Sequence, residues 1–139
     1  MLKNEIERLT DNYLDKEREV EKKSHPLADI FGFRGGPKYD PCHEEYHNAV
    51  IDAVNKYLEG TTDETEMYEA AEYVLSLGTE KECNGTCKWT LVSTQVSLKP
   101  LVPLLTAEHR EALRVRFEGL YRKKDRVPIQ DDLYKLLKS

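Results

Sequence analysis

Apolar residues recur along the first part of the chain at intervals of three, four and seven positions. These intervals place side chains on one face of an α-helix. The members of this stripe are Leu2, Ile6, Leu9, Tyr13 and Val20. Most positions between them carry charged or amide side chains. The pattern therefore predicts an amphipathic, charged helix over residues 1–23, whose polar face is a candidate surface for a protein partner or for self-association.

Helix-start and helix-stop signals predict two further helices in the middle of the chain. Asp40 is a suitable N-cap, the proline after it suits the first helical position, and Gly60 ends this second helix. A third helix begins at Thr62 or Asp63 and is expected to end at Gly78. The apolar residues assigned to the buried faces of the two helices are Val50, Ile51, Val54, Tyr57, Leu58, Met67, Ala70, Ala71, Val74 and Leu75.

Two helices are predicted near the C-terminus, and the segment before them is ambiguous. Thr106 caps one helix and Pro128 opens a last, short one. The apolar residues assigned to them are Leu113, Phe117, Leu120, Tyr121, Leu133, Leu136 and Leu137. Residues 88–99 are rich in β-branched side chains, which favour a strand, but no second convincing strand exists to pair with it. Three of the apolar side chains fit one helical face, namely Trp89, Val92 and Val96. We therefore predict a helix here.

These elements predict a single all-α domain over residues 1–139, a bundle of five to six helices. Residues 1–23 form the charged helix, residues 24–39 an ordered loop rich in glycine and proline with a short helix, and residues 40–139 the helical core. The length of 139 residues fits one domain and suffices for a self-contained hydrophobic core.

The net charge of −5 hides an uneven distribution along the chain. Residues 40–82 contain twelve acidic and two basic side chains, whereas residues 88–139 contain eleven basic and six acidic ones. Opposite charges attract, so we expect the acidic second and third helices to pack against the basic C-terminal helices.

Several functional classes are disfavoured by the same composition. The longest strongly apolar run, residues 100–105, is too short to cross a bilayer, and the charged N-terminus shows no signal peptide. The C-terminal basic residues are interleaved with acids and lack an aromatic stacking platform. We therefore expect a cytoplasmic protein that binds neither membranes nor nucleic acid.

The segment His43–His47 reads HEEYH and matches the pattern H-E-x-x-H. On a helix, residues four apart face the same way, so the two imidazoles can bind one zinc ion. The motif resembles the signature of the zincin metallopeptidases. That resemblance implies a zinc-dependent hydrolase in which Glu44 is the general base for a metal-bound water. In the gluzincin branch a downstream helix supplies the third ligand, which here would be Glu66 or Glu69.

A structural zinc site is the second interpretation of the same region. Cys83 and Cys87 enclose a three-residue turn, and Cys42 directly precedes the motif. Two thiolates from the turn and two ligands from Cys42, His43 and His47 would complete a tetrahedral site. Because the two clusters lie about 40 residues apart in the sequence, this site requires the fold to bring them together.

The glycine-rich loop is a candidate anion or small-ligand site. Its amides at Gly35 and Gly36, together with Arg34 and Lys38, lie just before a predicted helix N-terminus. Such an arrangement can hold an anion, although the spacing is not that of a P-loop. The alternative is an ordered connector in which the glycines serve the backbone alone.

No complete catalytic set is visible in the sequence. The leading hypothesis is therefore a non-catalytic protein-interaction or regulatory module. The alternatives are a zinc protein, either structural or zincin-like, and a ligand-binding domain centred on the glycine-rich loop.

Overall fold

The computed structural model describes residues 1–23, 40–80 and 90–139, without the side chains of residues 20–23, 40–41 and 78–80. The α-helices with defined bounds in these ranges are α1 (Leu2–Lys23), α2 (Asp40–Glu59), α3 (Glu64–Glu80), α4 (Ala107–Leu120) and α5 (Pro128–Lys138). Residues 90–93 are also α-helical. The 3₁₀ helices are Thr94–Leu98, Val102–Leu104 and Lys123–Asp125. None of the described residues is in a strand, so the predicted all-α class is confirmed.

The helices pack around the short segment of residues 90–98, which we call the central turn. α1 packs against α2 and α3, and α4 packs against α3 and α5. The 3₁₀ part of the central turn contacts α2, α3 and α5. The acidic α3 packs against α4, but α4 carries three arginines and three glutamates and is not basic. α2 packs mainly against α1 and the central turn, so the predicted packing of two acidic helices against basic C-terminal ones is not confirmed. No helix in the described ranges is both long enough and apolar enough to cross a membrane.

The predicted helix starts are present where local side-chain chemistry defines them. The carboxylate of Asp63 accepts a hydrogen bond from the amide of Glu66 at 3.1 Å, as an N-cap does. Thr106 caps α4 by accepting from the amide of His109 at 3.1 Å. Pro128 opens α5.

The predicted end of α3 at Gly78 is wrong, because the helix continues through Glu80. A glycine inside a helix costs only about 1 kcal/mol relative to alanine. The helix therefore tolerates this glycine, and the local stop signal did not end it.

The apolar stripes form most of the core, together with polar residues that the pattern did not assign to it. In α1, Leu2, Ile6 and Tyr13 are buried, and so are Thr10 and Glu17. All five apolar residues assigned to α3 are buried. Helical spacing therefore located the buried face of each helix, but not the polar groups within it.

The central turn is helical, as predicted, but it is not an amphipathic helix. Of the two described residues assigned to its apolar face, Val92 is buried and Val96 is only half-buried. The side chains that the surrounding helices enclose are Thr90, Leu91, Val92, Thr94, Gln95, Ser97 and Leu98. The hydroxyls of Thr94 and Ser97 each bond a carbonyl three residues earlier, at 2.6 and 2.7 Å. These bonds satisfy buried hydroxyls locally, which explains how a segment rich in Ser and Thr fits the core.

A buried hydrogen-bond network, which we call the Gln95 node, connects this segment to the helices around it. The side-chain amide of Gln95 donates to the hydroxyl of Tyr121 at 3.0 Å and to the carbonyl of Leu75 at 3.4 Å. Tyr121 donates to the same carbonyl. Gln130 of α5 donates to the amide oxygen of Gln95 at 3.5 Å and accepts from the amide of Val127 at 3.2 Å. The node joins the central turn to α3, to the end of α4 and to α5.

Candidate functional site

A groove of about 170 Å³ lies between α1 and α2 and is lined in part by Glu45 and Tyr46 of the HEEYH segment. We call it the α1–α2 groove. Its lining residues are Arg8, Leu9, Asn12, Tyr13, Lys16, Cys42, Glu45, Tyr46 and Ala49. Arg8, Asn12 and Lys16 are exposed and follow one another at four-residue steps along α1. Residues so spaced lie on one side of a helix, so these three form a polar wall about 12 Å long.

The base of the groove is rigid and aromatic. Tyr13 and Tyr46 are 2% and 3% exposed, and their rings stack with centroids 4.7 Å apart and planes 13° apart. The hydroxyl of Thr10 donates to the carbonyl of Ile6 at 2.8 Å and lies 2.8 Å from the hydroxyl of Tyr46. The stack and these bonds fix the two rings in place, so the groove is preorganised at its base.

The charged groups at the rim form exposed ion pairs. Arg8 binds Glu5 at 2.6 Å, and Lys16 on α1 binds Glu45 on α2 at 2.6 Å. The hydrogen bond with Glu45 raises the pKa of Lys16, so this side chain stays cationic. Exposed ion pairs contribute little to stability. Both cations can therefore exchange their present carboxylate for another one at small cost.

The HEEYH segment lies on α2, with its members in different surroundings. Burial raises the pKa of the Cys42 thiol, which is therefore not an activated nucleophile. His43 is half-buried and packs edge-on against Tyr13, with ring centroids 5.7 Å apart. Glu44 is exposed and His47 is half-buried.

The two carboxylates expected to complete a zincin-like site lie elsewhere. Glu66 accepts a hydrogen bond from Tyr57 at 2.8 Å, and Tyr57 is ten residues, or about 15 Å, along α2 from His47. Glu69 lines a different cleft, beside Lys3. Within the described ranges, no three His, Cys, Asp or Glu side chains come together as a metal site.

Two of the predicted sites lie partly or wholly outside the described residues. The anion-binding loop, with Arg34, Gly35, Gly36 and Lys38, falls in the undescribed range 24–39. The short helix expected there also lies in that range. The cysteine turn with Cys83 and Cys87 falls in the undescribed range 81–89, as does Trp89. The anion site and the structural zinc site therefore remain predictions.

A carboxylate–imidazole pair, which sequence spacing did not reveal, joins α3 to α4. The carboxylate oxygens of Glu64 lie 2.6 and 2.8 Å from Nδ1 of His109, and the amide of Thr106 donates to Glu64 at 2.7 Å. Tyr68 stacks on the imidazole at 3.9 Å with the planes 6° apart. Burial alone raises the pKa of Glu64, but the hydrogen bonds from Thr106 and His109 outweigh it, so the net pKa is lowered.

This pair lacks the third member of a nucleophilic triad. The hydroxyl of Thr106 accepts from the backbone amide of His109, not from its ring. Among the described residues, no Ser, Thr or Cys side chain is hydrogen-bonded to the imidazole of His109. The pair connects the first turn of α3 to the first turn of α4. The only sequence signal for it was that Glu64 and His109 both lie in the first turn of a predicted helix.

A second cleft, of about 310 Å³, is lined by residues of α1, α3 and α4, and we call it the α3–α4 cleft. Its lining residues are Lys3, Glu69, Glu72, Tyr73, Ser76 and Arg116. The guanidinium of Arg116 donates to the hydroxyl of Ser76 at 2.6 and 3.0 Å. Burial raises the pKa of Tyr73 to about 12, so its phenol stays neutral at physiological pH.

Glu17 is a buried carboxylate that sequence reasoning also missed. It is 3% exposed, and neither of its carboxylate oxygens has a hydrogen-bond partner among the described residues. A signal for it existed, because Glu17 lies four residues after Tyr13 and so belongs to the buried face of α1.

No protein-family model, curated protein or solved structure matches the chain. Functional inference therefore rests on the geometry of the grooves and the groups that line them.

Proposed function

We propose that the chain is a non-catalytic protein-interaction module that binds a partner protein through the α1–α2 groove. The observation that carries this proposal is the combination of a fixed aromatic base with exchangeable charges at the rim. Tyr13 and Tyr46 are buried and form a fixed floor, and the half-buried Leu9 and Ala49 add accessible apolar surface to the lining. Arg8 and Lys16 above them are held only by exposed ion pairs. Such a surface can accept a partner without reorganising.

The dimensions of the groove favour a protein side chain over a free small molecule. Its volume of about 170 Å³ is below the range of about 300–1,000 Å³ typical of small-molecule pockets. One apolar side chain of a partner can enter between the rim residues. Arg8 and Lys16 are two helical turns apart, about 12 Å, and match acidic residues seven or eight positions apart on a partner helix. We therefore expect an acidic amphipathic segment as the partner.

Self-association through the outer face of α1 is less favoured by the same geometry. The exposed residues of α1 up to residue 19 are Asn4, Arg8, Asp11, Asn12, Asp15, Lys16, Arg18 and Glu19. None of these described residues is a large apolar side chain, and the nearest one is Met1, which precedes the helix and is 68% exposed. A second copy docked there would bury little apolar area, and apolar burial is the main source of association energy.

Site-specific photo-crosslinking tests the proposal. A p-benzoylphenylalanine at Asn12 lies on the wall of the groove, and the same group at Lys135 serves as a control at an exposed position of α5. We expect an adduct from position 12 that is absent from position 135. The crosslinked peptide, identified by mass spectrometry, should contain acidic residues around an apolar one.

Charge reversal links the adduct to the groove. The double variant Arg8→Glu/Lys16→Glu should lose the adduct. The matched variant Arg18→Glu changes an exposed charge of α1 outside the groove lining and should retain it. Far-UV circular dichroism verifies that each variant is folded. Three results would each refute the proposal. One is an equal adduct yield at positions 12 and 135, another is an adduct that survives the double variant, and the third is an adduct with a second copy of the chain.

A further inference from the structure

Two surfaces of the fold carry opposite charges and do not pack against each other. We call the exposed side of α2 the acidic stripe and the surface of residues 121–139 the basic end. α2 contains five acidic residues and one basic residue, whereas residues 121–139 contain six basic and three acidic ones. The main packing partners of α2 are α1 and the central turn, not α5. The attraction between the two charged regions is therefore not used within one molecule.

The acidic stripe lies on the side of α2 that faces away from the core. Glu44, Asp52 and Glu59 are exposed, and so are Asn48 and Asn55 between them. Steps of three and four residues keep side chains on one face of a helix, so these positions form one line about 22 Å long. In the described part of the chain, none of the three carboxylates has a cation within 4.0 Å. The stripe therefore presents an unneutralised row of acids to the solvent.

The basic end is organised around the ring of Tyr134 on α5. The guanidinium carbon of Arg126 lies 4.3 Å from the centre of this ring, and Nζ of Lys138 lies 5.1 Å from it. Nε of Arg126 also donates to the carbonyl of Tyr121 at 3.2 Å. The turn before Arg126 and the C-terminal end of α5 therefore border the same surface.

Charge is the main feature that the two surfaces offer to a partner. The exposed cations of the basic end are Arg122, Lys123, Lys124, Lys135 and Lys138. None of them forms an ion pair within 4.0 Å among the described residues. The large apolar side chains that are exposed in the described ranges lie elsewhere, at Met1, Leu104 and Val115. A contact made by either surface therefore depends on electrostatic attraction and weakens in salt.

We propose that the acidic stripe of one copy of the chain binds the basic end of a second copy. The outer face of α1 differs from both surfaces, because its exposed charges up to residue 19 are three basic and three acidic and so balance. The two surfaces are different, so the contact is head-to-tail and leaves one surface of each kind available for further copies. Neither surface contains a residue that lines the α1–α2 groove. This proposal and the proposed function can therefore fail independently.

Analytical ultracentrifugation at several protein and salt concentrations tests the proposal. In about 20 mM NaCl we expect the average mass to rise above that of the monomer as the protein concentration increases. In about 500 mM NaCl, where the Debye length is about 4 Å, the mass should return to that of the monomer. A mass that stays monomeric up to about 1 mM protein at low salt, or an association that salt does not weaken, would overturn the proposal.

Two variants, each altered in one surface, test whether the contact is head-to-tail. Glu44→Gln/Asp52→Asn/Glu59→Gln neutralises the acidic stripe, and Arg122→Gln/Lys123→Gln/Lys124→Gln neutralises most of the basic end. Each variant alone should self-associate at least about tenfold more weakly than the wild type. An equimolar mixture should form a 1:1 dimer that does not grow, because one intact surface of each kind remains.

A third variant controls for the change in net charge. Asp11→Asn/Asp15→Asn/Glu19→Gln alters the net charge as much as the acidic-stripe variant does, but on exposed positions of α1. It should self-associate as the wild type does. Wild-type association of either single-surface variant, or a mixture that stays monomeric, contradicts the proposal. Far-UV circular dichroism verifies folding, and if a variant does not fold, the salt dependence of the wild type decides alone.

Discussion

Replacement of Gln95 by methionine tests whether the Gln95 node stabilises the fold. Methionine keeps the length of the side chain but removes its amide. The variant loses the bond to Tyr121 at 3.0 Å and the longer one to Leu75 at 3.4 Å. It also leaves the amide of Gln130, which is 2% exposed, without its acceptor at 3.5 Å.

The expected cost follows from these separate losses. A net hydrogen bond is worth about 0.5–1.5 kcal/mol, and a buried donor left without a partner costs about 1–3 kcal/mol. The apolar methionine offsets part of this by its favourable burial. We therefore expect Gln95→Met to lower the free energy of unfolding by about 2 kcal/mol. Urea denaturation followed by far-UV circular dichroism measures this change.

A double-mutant cycle with Gln130→Met isolates the interaction. The double variant has no amide at position 130 that lacks an acceptor. Its loss of unfolding free energy should therefore be smaller than the sum of the losses of the two single variants by about 1 kcal/mol. Two results would refute the reasoning. One is a cost below about 0.5 kcal/mol for Gln95→Met, and the other is additivity of the two substitutions within about 0.3 kcal/mol.

Three further predictions concern single side chains. Because the net pKa of Glu64 is lowered, its ionised form stabilises the fold at neutral pH, and this stabilisation is lost as the pH falls below its ordinary value of 4.5. Glu64→Gln should therefore be less stable than the wild type at neutral pH, and thermal melts should show the difference shrinking in acid. Glu17→Met removes a buried carboxylate without partners among the described residues and should stabilise the protein by about 1–3 kcal/mol in urea denaturation. Gly119→Ala should stabilise α4 by about 0.5–1 kcal/mol in the same assay, since a Cβ at Gly119 meets no atom within 4 Å.

Each of these three has a result that would contradict it. A stability difference between Glu64→Gln and the wild type that stays constant from neutral to acidic pH would show that ionisation of Glu64 does not contribute to the loss of stability in acid. Destabilisation by Glu17→Met would show that the carboxylate has a favourable interaction in the folded protein. Unchanged or lowered stability of Gly119→Ala would contradict the third prediction. Ala112→Gly is the matched reverse change at an exposed position of the same helix, and it should lower stability.

The features that sequence predicted well are those with local causes. An N-cap needs one polar side chain within three residues of the amide that it binds, so Asp63 and Thr106 marked helix starts correctly. The end of α3 had no such marker. Gly78 lies within the helix, which continues through Glu80, because a glycine lowers helix stability only modestly and does not by itself stop a helix.

Helical periodicity was informative for helices with one exposed face and failed for the central turn. This segment contacts helices on several sides, so its buried residues do not lie on one stripe. The same limit applies to Gln95 and Glu17. A pattern of apolar and polar positions assigns polar residues to the outside, yet these two are 0% and 3% exposed. Only the fold shows which polar positions face inward.

The candidate sites depend on which helix faces pack against each other. The spacing of residues within one helix does not predict this packing. The α1–α2 groove places Arg8 and Lys16 opposite Cys42 and Glu45 only because α1 and α2 pack in one register. The pairing of Glu64 with His109 joins residues 45 positions apart. The HEEYH segment identified a helix that borders the groove, but not the neighbours of its side chains.

The central turn has a consequence for how this protein can diverge in evolution. A surface helix such as α1 can exchange most of its exposed residues at little cost. The central turn has few such positions, since its residues from Thr90 to Leu98 are buried apart from Ser93 and Val96. Its hydroxyls and the amide of Gln95 also have specific acceptors. Selection for a stable fold therefore acts strongly on these seven buried residues, and descendants of this chain should keep them while their helix surfaces change.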